Sequence, residues 1–393
     1  MDNIPNAQPI DRALQDALGT VPGLVAMATT ATETIYAGAF GRRDLSRPDP
    51  MTLDTIFYLA SMTKALTSVA AMQLVEQGHL TLDAPVASVL PALANPMVLH
   101  GFDAADAPIL RPATNPITLR QLLTHSSGYG YPTWNAALEK YHATTGIPAT
   151  PTDWDSLQKI PLVFEPGTSW NYSISTDLVG KAVEAASGQT LPEYLRQHVL
   201  DPLGMHDTTD RLSPEQRVRA ATVHARHPDG SLAPIEHLSG QGMGFFGGGG
   251  GLCGPAPDYL RFLRAMLAGG GPILRPETVT EMTRHHLGPL RMLPMRTAMP
   301  SRSNDVDFFP ETIKTWGLGF LINETDIALR RRAGSLAWAG LANTYFWIDP
   351  ASGIAGLILM QILPFADPGA LDSFASFERL VYQSTTAPAA PIR

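Results

Sequence analysis

Thr55-Ile56-Phe57-Tyr58-Leu59-Ala60-Ser61-Met62-Thr63-Lys64 is the stretch on which the reading of this chain turns. An apolar run ends at Ala60, and beyond it Ala65, Val69, Met72 and Val75 recur at helical spacing until Gly78. A strand or turn therefore feeds a helix over residues 61–77 that holds Ser61 in its first turn. Three residues apart, Ser61 and Lys64 share one helix face. A serine hydroxyl is a weak nucleophile until a neighbouring base takes its proton, and lysine is the cation whose pKa burial shifts most readily. The free N–H groups of a helix N-terminus suit a developing oxyanion. The bland alternative is that Ser61 is an N-cap with no chemistry.

Spacing alone decides little, because 21 serines and 5 lysines in 393 residues give about 0.3 Ser-x-x-Lys matches by chance. The second match, Ser156-Leu157-Gln158-Lys159, stands in a Pro- and Asp-rich loop and reads as surface. A further proton-transfer group is the usual completion, and Tyr172 in Trp170-Asn171-Tyr172-Ser173 follows the turn signal Phe164-Glu165-Pro166-Gly167 at a loop–helix junction, where functional side chains are often displayed. A half-buried core tyrosine is its alternative reading.

Working outward, residues 10–18 form a short amphipathic stretch, and residues 23–30 and 33–40 look like paired strands. The middle of the chain, about 80–305, alternates helices (178–186, 192–200, 257–267) with Pro- and Gly-rich loops. Strands return at 316–322, 341–348 and 353–363, before a helix at 371–382 and an Ala/Pro tail expected to fray. No repeat of 20–50 residues is present. The expected architecture is an α/β (α+β) fold: residues 1–60 plus 306–393 build one sheet domain from both termini, residues 61–305 form a mainly helical inserted domain, and the site lies in the cleft between them.

The composition excludes several classes. Lys+Arg 28 against Asp+Glu 36, with no basic run longer than Arg330-Arg331-Arg332, leaves no field for nucleic acid. The one cysteine, Cys253, rules out internal disulfides and reads as a small buried hydrophobe. No Gly-x-Ser-x-Gly occurs, since Gly167-Thr168-Ser169-Trp170-Asn171 fails at its last position. His224-x-x-His227 sits in a polar loop without a third ligand, so no metal is expected. Gly242-Met243-Gly244-Phe245-Phe246-Gly247 follows no strand and precedes no suitably spaced acid, which makes it a decoy for dinucleotide binding. The run Gly247 to Gly251 lacks the Lys-Ser/Thr of a phosphate loop and reads as a tight turn. No cofactor is expected. Met1-Asp2-Asn3-Ile4-Pro5 has no signal-peptide character, and the longest apolar run, 353–365, is short of the ~20 residues of a membrane helix. The expectation is a soluble, cytoplasmic chain with no membrane partner and nothing that sets its oligomeric state. Charged residues make up 16% against about 25% in an average domain, which suits a broad apolar-lined cleft.

Taken with Leu122-Leu123-Thr124-His125-Ser126-Ser127-Gly128, the motifs Ser61-Met62-Thr63-Lys64 and Tyr172-Ser173 resemble the serine β-lactamase and penicillin-binding superfamily, in its class C-like branch, from about residue 20 to 380. Tyr172-Ser173-Ile174 and Trp338-Ala339-Gly340 are most similar to the family VIII carboxylesterases. The resemblance implies a β-lactamase-like fold, with an antiparallel sheet flanked by helices and an inserted all-helical domain. It implies Ser61 as the acylated nucleophile, Lys64 as the base and Tyr172 as a sharer of the proton transfers. The backbone N–H groups of Ser61 and Leu341 become the oxyanion hole, and Tyr131, Trp338 and Gly340 contact substrate, while His125 is structural. Two departures set the expected substrate. Ile174 stands where β-lactamases carry Asn, and Trp338 where they carry Lys. Losing such polar partners costs a factor of about 10² in discrimination, and an indole favours a neutral, apolar ligand. An alignment with Arg331 or Arg332 restoring the cation is the lesser alternative. The expected function is hydrolysis of small-molecule carboxylic esters with short acyl chains through an acyl-Ser61 intermediate. The rivals are a β-lactamase or D-amino-acid peptidase, an acyltransferase, and a non-enzymatic penicillin sensor or scaffold.

Overall fold

β1 (Gly23–Thr29) and β2 (Thr34–Gly41) form an N-terminal hairpin. The other strands of the same sheet come from the far end of the chain: β3 (Lys314–Trp316), β4 (Leu321–Asn323), β5 (Leu336–Gly340), β6 (Thr344–Asp349) and β7 (Ile354–Leu359). The strand order is β2-β1-β7-β6-β5-β4-β3, antiparallel throughout, and Val25 stands opposite Leu359 where the two ends of the chain meet. The computed structural model describes residues 7–151, 153–236 and 245–386. Met1 to Pro5, Gly242 to Gly244 and the Ala/Pro tail lie outside them.

Both faces of the sheet are covered. Successive side chains of a strand point to opposite faces, and Phe346 meets Tyr259 at 5.5 Å while its neighbour Trp347 meets Phe374 and Phe377 at 6.0 and 5.7 Å. One face therefore takes the helix Ala256–Leu267 and the other the C-terminal helix Pro368–Thr386, against which the N-terminal helix Gln8–Asp16 also packs. With helices on both sides, β1 and β7 are buried at every position and show no polar alternation.

The part of the chain between β2 and β3 is mainly helical among its described residues. It also carries a hairpin of Met97–Phe102 with Pro108–Pro112, and a short pair in which Ile56–Tyr58 runs antiparallel to Cys253–Pro255. That pair fixes the chain on either side of the site, since it precedes Ser61 and follows the glycine run. The helix after Ser61 (Thr63–Glu76) is buried from Thr63 through Leu74 on every side, as expected of a helix running through a core, and it packs against the helix Ser175–Ser187.

Several expected boundaries need correction. Ser61 lies in a 3₁₀ turn, Ala60–Met62, before the α-helix begins. The run 316–322 is two strands joined through Gly317 to Phe320, with Gly319 at φ +104°. The expected strand 341–348 starts at Thr344, and β5 in front of it was not anticipated. The helix 192–200 is Leu191–Leu195 followed by a π-helical turn, Arg196–Leu200. Ser156 occupies a short helix, Trp154–Gln158, capped by Asp153, not a loop. His224 is buried in a strand, where its Nε2 accepts the Leu45 N–H at 3.2 Å.

Candidate active site

Ser61 is presented by a strained corner. Ala60 adopts φ +47°, a left-handed conformation costly for a residue with a Cβ and concentrated at functional sites. The end of β5 presses against this corner. A Cβ on Gly340 would come within 2.3 Å of the Leu59 carbonyl oxygen and 3.2 Å of the Ala60 Cβ, so only glycine lets the two segments approach. Gly340, expected to touch substrate, is thus placed against Leu59 and Ala60, while the next residue, Leu341, lines the same cavity as Ser61.

Lys64 is 2% exposed, and its three N–H donors each meet a neutral oxygen. Nζ donates to Ser61 Oγ at 3.3 Å, to the Tyr131 hydroxyl at 3.0 Å and to the Gly249 carbonyl at 2.7 Å. Burial lowers its pKa to about 8, against a smaller opposing pull from the Asp177 carboxylate. Asp177 is itself raised by burial, and it accepts the Gly249 N–H at 2.9 Å. Gly249 thus bridges the lysine and the nearest acid. The run Gly247 to Gly251 makes the expected tight turn, with the Gly250 and Gly251 N–H groups both donating to the Gly247 carbonyl at 3.1 Å, although none of its glycines has positive φ. Close approach explains them instead: a Cβ would meet Asp177 Oδ1 at 2.7 Å from Gly247 and the Thr176 carbonyl at 2.8 Å from Gly248.

Tyr172 completes the cluster in hydrogen-bond contact with Ser61. The Trp338 indole N–H donates to its hydroxyl at 3.1 Å. Burial raises the phenol well above its ordinary value despite the opposing bonds to Ser61 and Trp338. Aromatic rings fix the ring of Tyr172 on several sides: Trp338 at 4.7 Å, His125 at 4.9 Å, Tyr131 at 5.3 Å and Trp134 at 5.4 Å. His125 is buried behind it and pairs with the Ser173 hydroxyl at 3.0 Å. Burial and the nearby Lys64 charge hold its pKa well below the usual histidine value, so the ring is neutral.

Ser61, Tyr131, Tyr172, Trp338 and Leu341 all line one cavity of about 530 Å³, walled by further aromatic side chains from Tyr58, Trp134, Phe245, Phe246 and Phe365. Asp177, Gly249 and Arg302 also line it, and sequence reasoning had passed over all three as parts of the site. The one signal for Asp177 is an acid in the first turn of the helix Ser175–Ser187. Arg331, the alternative replacement for the lost cation, is buried against Glu378 instead, and Arg332 is exposed beside Asp326. Among the described residues no three His, Cys, Asp or Glu side chains gather as a metal site, and no helix is long and apolar enough to cross a membrane.

A serine at a strained corner, a buried lysine on the same helical segment and a buried tyrosine over both define a class of acyl-transferring enzyme. The chain belongs to the β-lactamase family, whose model matches residues 10–380. It is 33% identical over 96% of its length to lovastatin esterase of Penicillium rubens, covering 99% of that protein. It is 34% identical to monacolin J acid methylbutanoyltransferase of Aspergillus terreus, over 92% of each chain. The unliganded structure of simvastatin synthase from Aspergillus terreus superposes with a TM-score of 0.87 at 32% identity, over 98% of this chain and all 100% of that one. The protein is accordingly an enzyme of the β-lactamase-like serine hydrolase and acyltransferase family, which includes esterases.

Proposed function

We propose that the protein is a carboxylic-ester hydrolase of the family VIII esterase type, cleaving small esters of short acyl chains through an acyl-Ser61 intermediate. The observation that carries this reading is Lys64: buried, 3.3 Å from Ser61 Oγ, and hydrogen-bonded to neutral oxygens alone. With its pKa lowered to about 8, roughly a tenth of the lysine is neutral at pH 7, enough for a base poised near working pH. Tyr172, raised by burial, keeps its proton and acts as the acid.

The steps balance. Ser61 Oγ attacks the ester carbonyl as its proton passes to neutral Lys64. The oxyanion is held by the backbone N–H groups of Ser61 and Leu341. The C–O bond to the alcohol breaks, and Tyr172 protonates the leaving oxygen while regaining a proton from Lys64. A water then loses its proton to the same pair, attacks the acyl carbon, and the acid departs as Ser61 Oγ is reprotonated.

A second reading, acyl transfer to an alcohol, is favoured by the large aromatic-walled cavity and by the transferase among the relatives. Intact-mass measurement after mixing with a short acyl ester, and separately with a cephalosporin, tests the proposal alongside turnover of each. The expected result is acylation and rapid turnover with the ester only, both absent in Ser61→Ala. Cephalosporin turnover at a comparable rate would overturn it in favour of a β-lactamase. An added alcohol that diverts most of the product from acid to new ester would select the transferase.

A further inference from the structure

Among the described residues, two charged side chains line the cavity, Asp177 and Arg302. Asp177 is half-buried and engaged by Gly249. Arg302 is half-buried, and its guanidinium has only a long hydrogen bond to Thr150 Oγ1 at 3.5 Å, with no ion pair to any described carboxylate. Two arginines elsewhere are neutralised, Arg296 by Asp305 at 2.7 Å and Arg331 by Glu378 at 2.6 Å.

The backbone of Arg302 is anchored to the cavity wall. Its N–H donates to Met299 at 2.9 Å and its carbonyl accepts the Phe365 N–H at 2.8 Å, while the adjoining Ser303 hydroxyl accepts the Trp134 indole N–H at 3.0 Å. Trp134 in turn packs on Tyr172. The guanidinium is near enough for its charge to act on the hydroxyls of Tyr58 and Tyr131, and Tyr131 is the hydroxyl that Lys64 contacts. An unneutralised guanidinium on the wall of the aromatic-lined cavity that also holds Ser61 matches the planar fork that binds a carboxylate. The protein's net charge of −8 repels anions at long range, so such a subsite acts by contact, not by steering.

We infer that Arg302 forms a carboxylate subsite, and that the esters this site takes carry an anionic group remote from the bond that is cleaved. This rests on the acyl-Ser61 reading and revises the expectation of a wholly neutral substrate. The carboxylate can belong to the acyl part or to the alcohol part, and two matched pairs separate them. One pair is the mono-4-nitrophenyl ester of glutarate and its terminal amide; the other is 4-acetoxybenzoate and 4-acetoxybenzamide. In one pair the charged member should have at least roughly tenfold higher kcat/KM through a lower KM, the preference shrinking with added salt. Arg302→Gln should abolish the preference, and Arg296→Gln, whose arginine is already paired, should retain it. Preference for the neutral member in both pairs, or a preference that survives Arg302→Gln, would overturn the inference. The same ratios read as Kd on Ser61→Ala by calorimetry require no turnover. Failure of the acyl-enzyme reading is therefore seen separately, as ester cleavage that persists without Ser61.

Discussion

Lys64 and Arg331 are both buried cations, and their surroundings differ in kind. Arg331, 0% exposed, donates to both oxygens of the equally buried Glu378 at 2.6 and 2.9 Å and lies among the rings of Phe309, Trp347 and Phe374. Lys64 has no carboxylate in contact, because the nearest, Asp177, is bound to the Gly249 N–H. A guanidinium locked to a carboxylate never gives up its proton, and removing either partner strands a charge in the interior. An ammonium among hydroxyls and a carbonyl can lose its proton and leave nothing unpaired. Burial thus makes structure at Arg331 and, on the proposed mechanism, chemistry at Lys64.

Swapping the two outcomes by mutation tests this contrast. Lys64→Met removes the base and a desolvated charge together, so ester turnover should fall about 10³-fold or more while the thermal midpoint holds or rises. Glu378→Ala should do the reverse: a loss of about 3–5 kcal/mol in urea unfolding, with kcat per folded molecule retained. If folded Glu378→Ala is inactive, the contrast fails. Trp338→Phe deletes one neutral hydrogen bond to Tyr172, worth about 0.5–1.5 kcal/mol, so kcat/KM should drop by roughly 2- to 10-fold. The smallest effect is on pH dependence. If neutral Lys64 is the base, kcat/KM rises with pH through an apparent pKa near 8. Asp177→Asn removes the carboxylate that stabilises the charged lysine, so the proton leaves more easily and the limb moves to lower pH. A shift to higher pH would contradict this role for Asp177.

Ser61 and Lys64 were legible because they share one helical segment, and Tyr172 because a turn signal precedes it. Lys64's contacts with Tyr131 and Gly249 were not, since the sequence separations are 67 and 185 residues and no local pattern encodes such contacts. β5 was missed for a different reason. Leu336-Ala337-Trp338-Ala339-Gly340 has no β-branched residue and is buried on both faces, so neither propensity nor alternation marks it as a strand. The hairpin of β3 and β4 was hidden by apolar residues that continue through its turn. Arg302 sits in an irregular segment where only the fold shows what the side chain faces. The two-ended sheet itself was readable, because strand-like runs cluster at the termini and helical ones between them.

That topology has a consequence for synthesis. β1 pairs with β2 at once, but its other neighbour, β7, is among the last segments to be made, and so is Leu341, which must reach Ser61 to complete the proposed oxyanion hole. At ~5–20 residues per second, the serine waits on the order of tens of seconds on the ribosome with no strand beside it. Until β5 arrives neither Gly340 nor Leu341 stands beside Ala60 and Ser61, so the nascent chain carries the proposed nucleophile without its second oxyanion donor. On the proposed acyl-Ser61 mechanism, full reactivity is therefore a late product of translation, completed only when the cavity that takes the substrate exists.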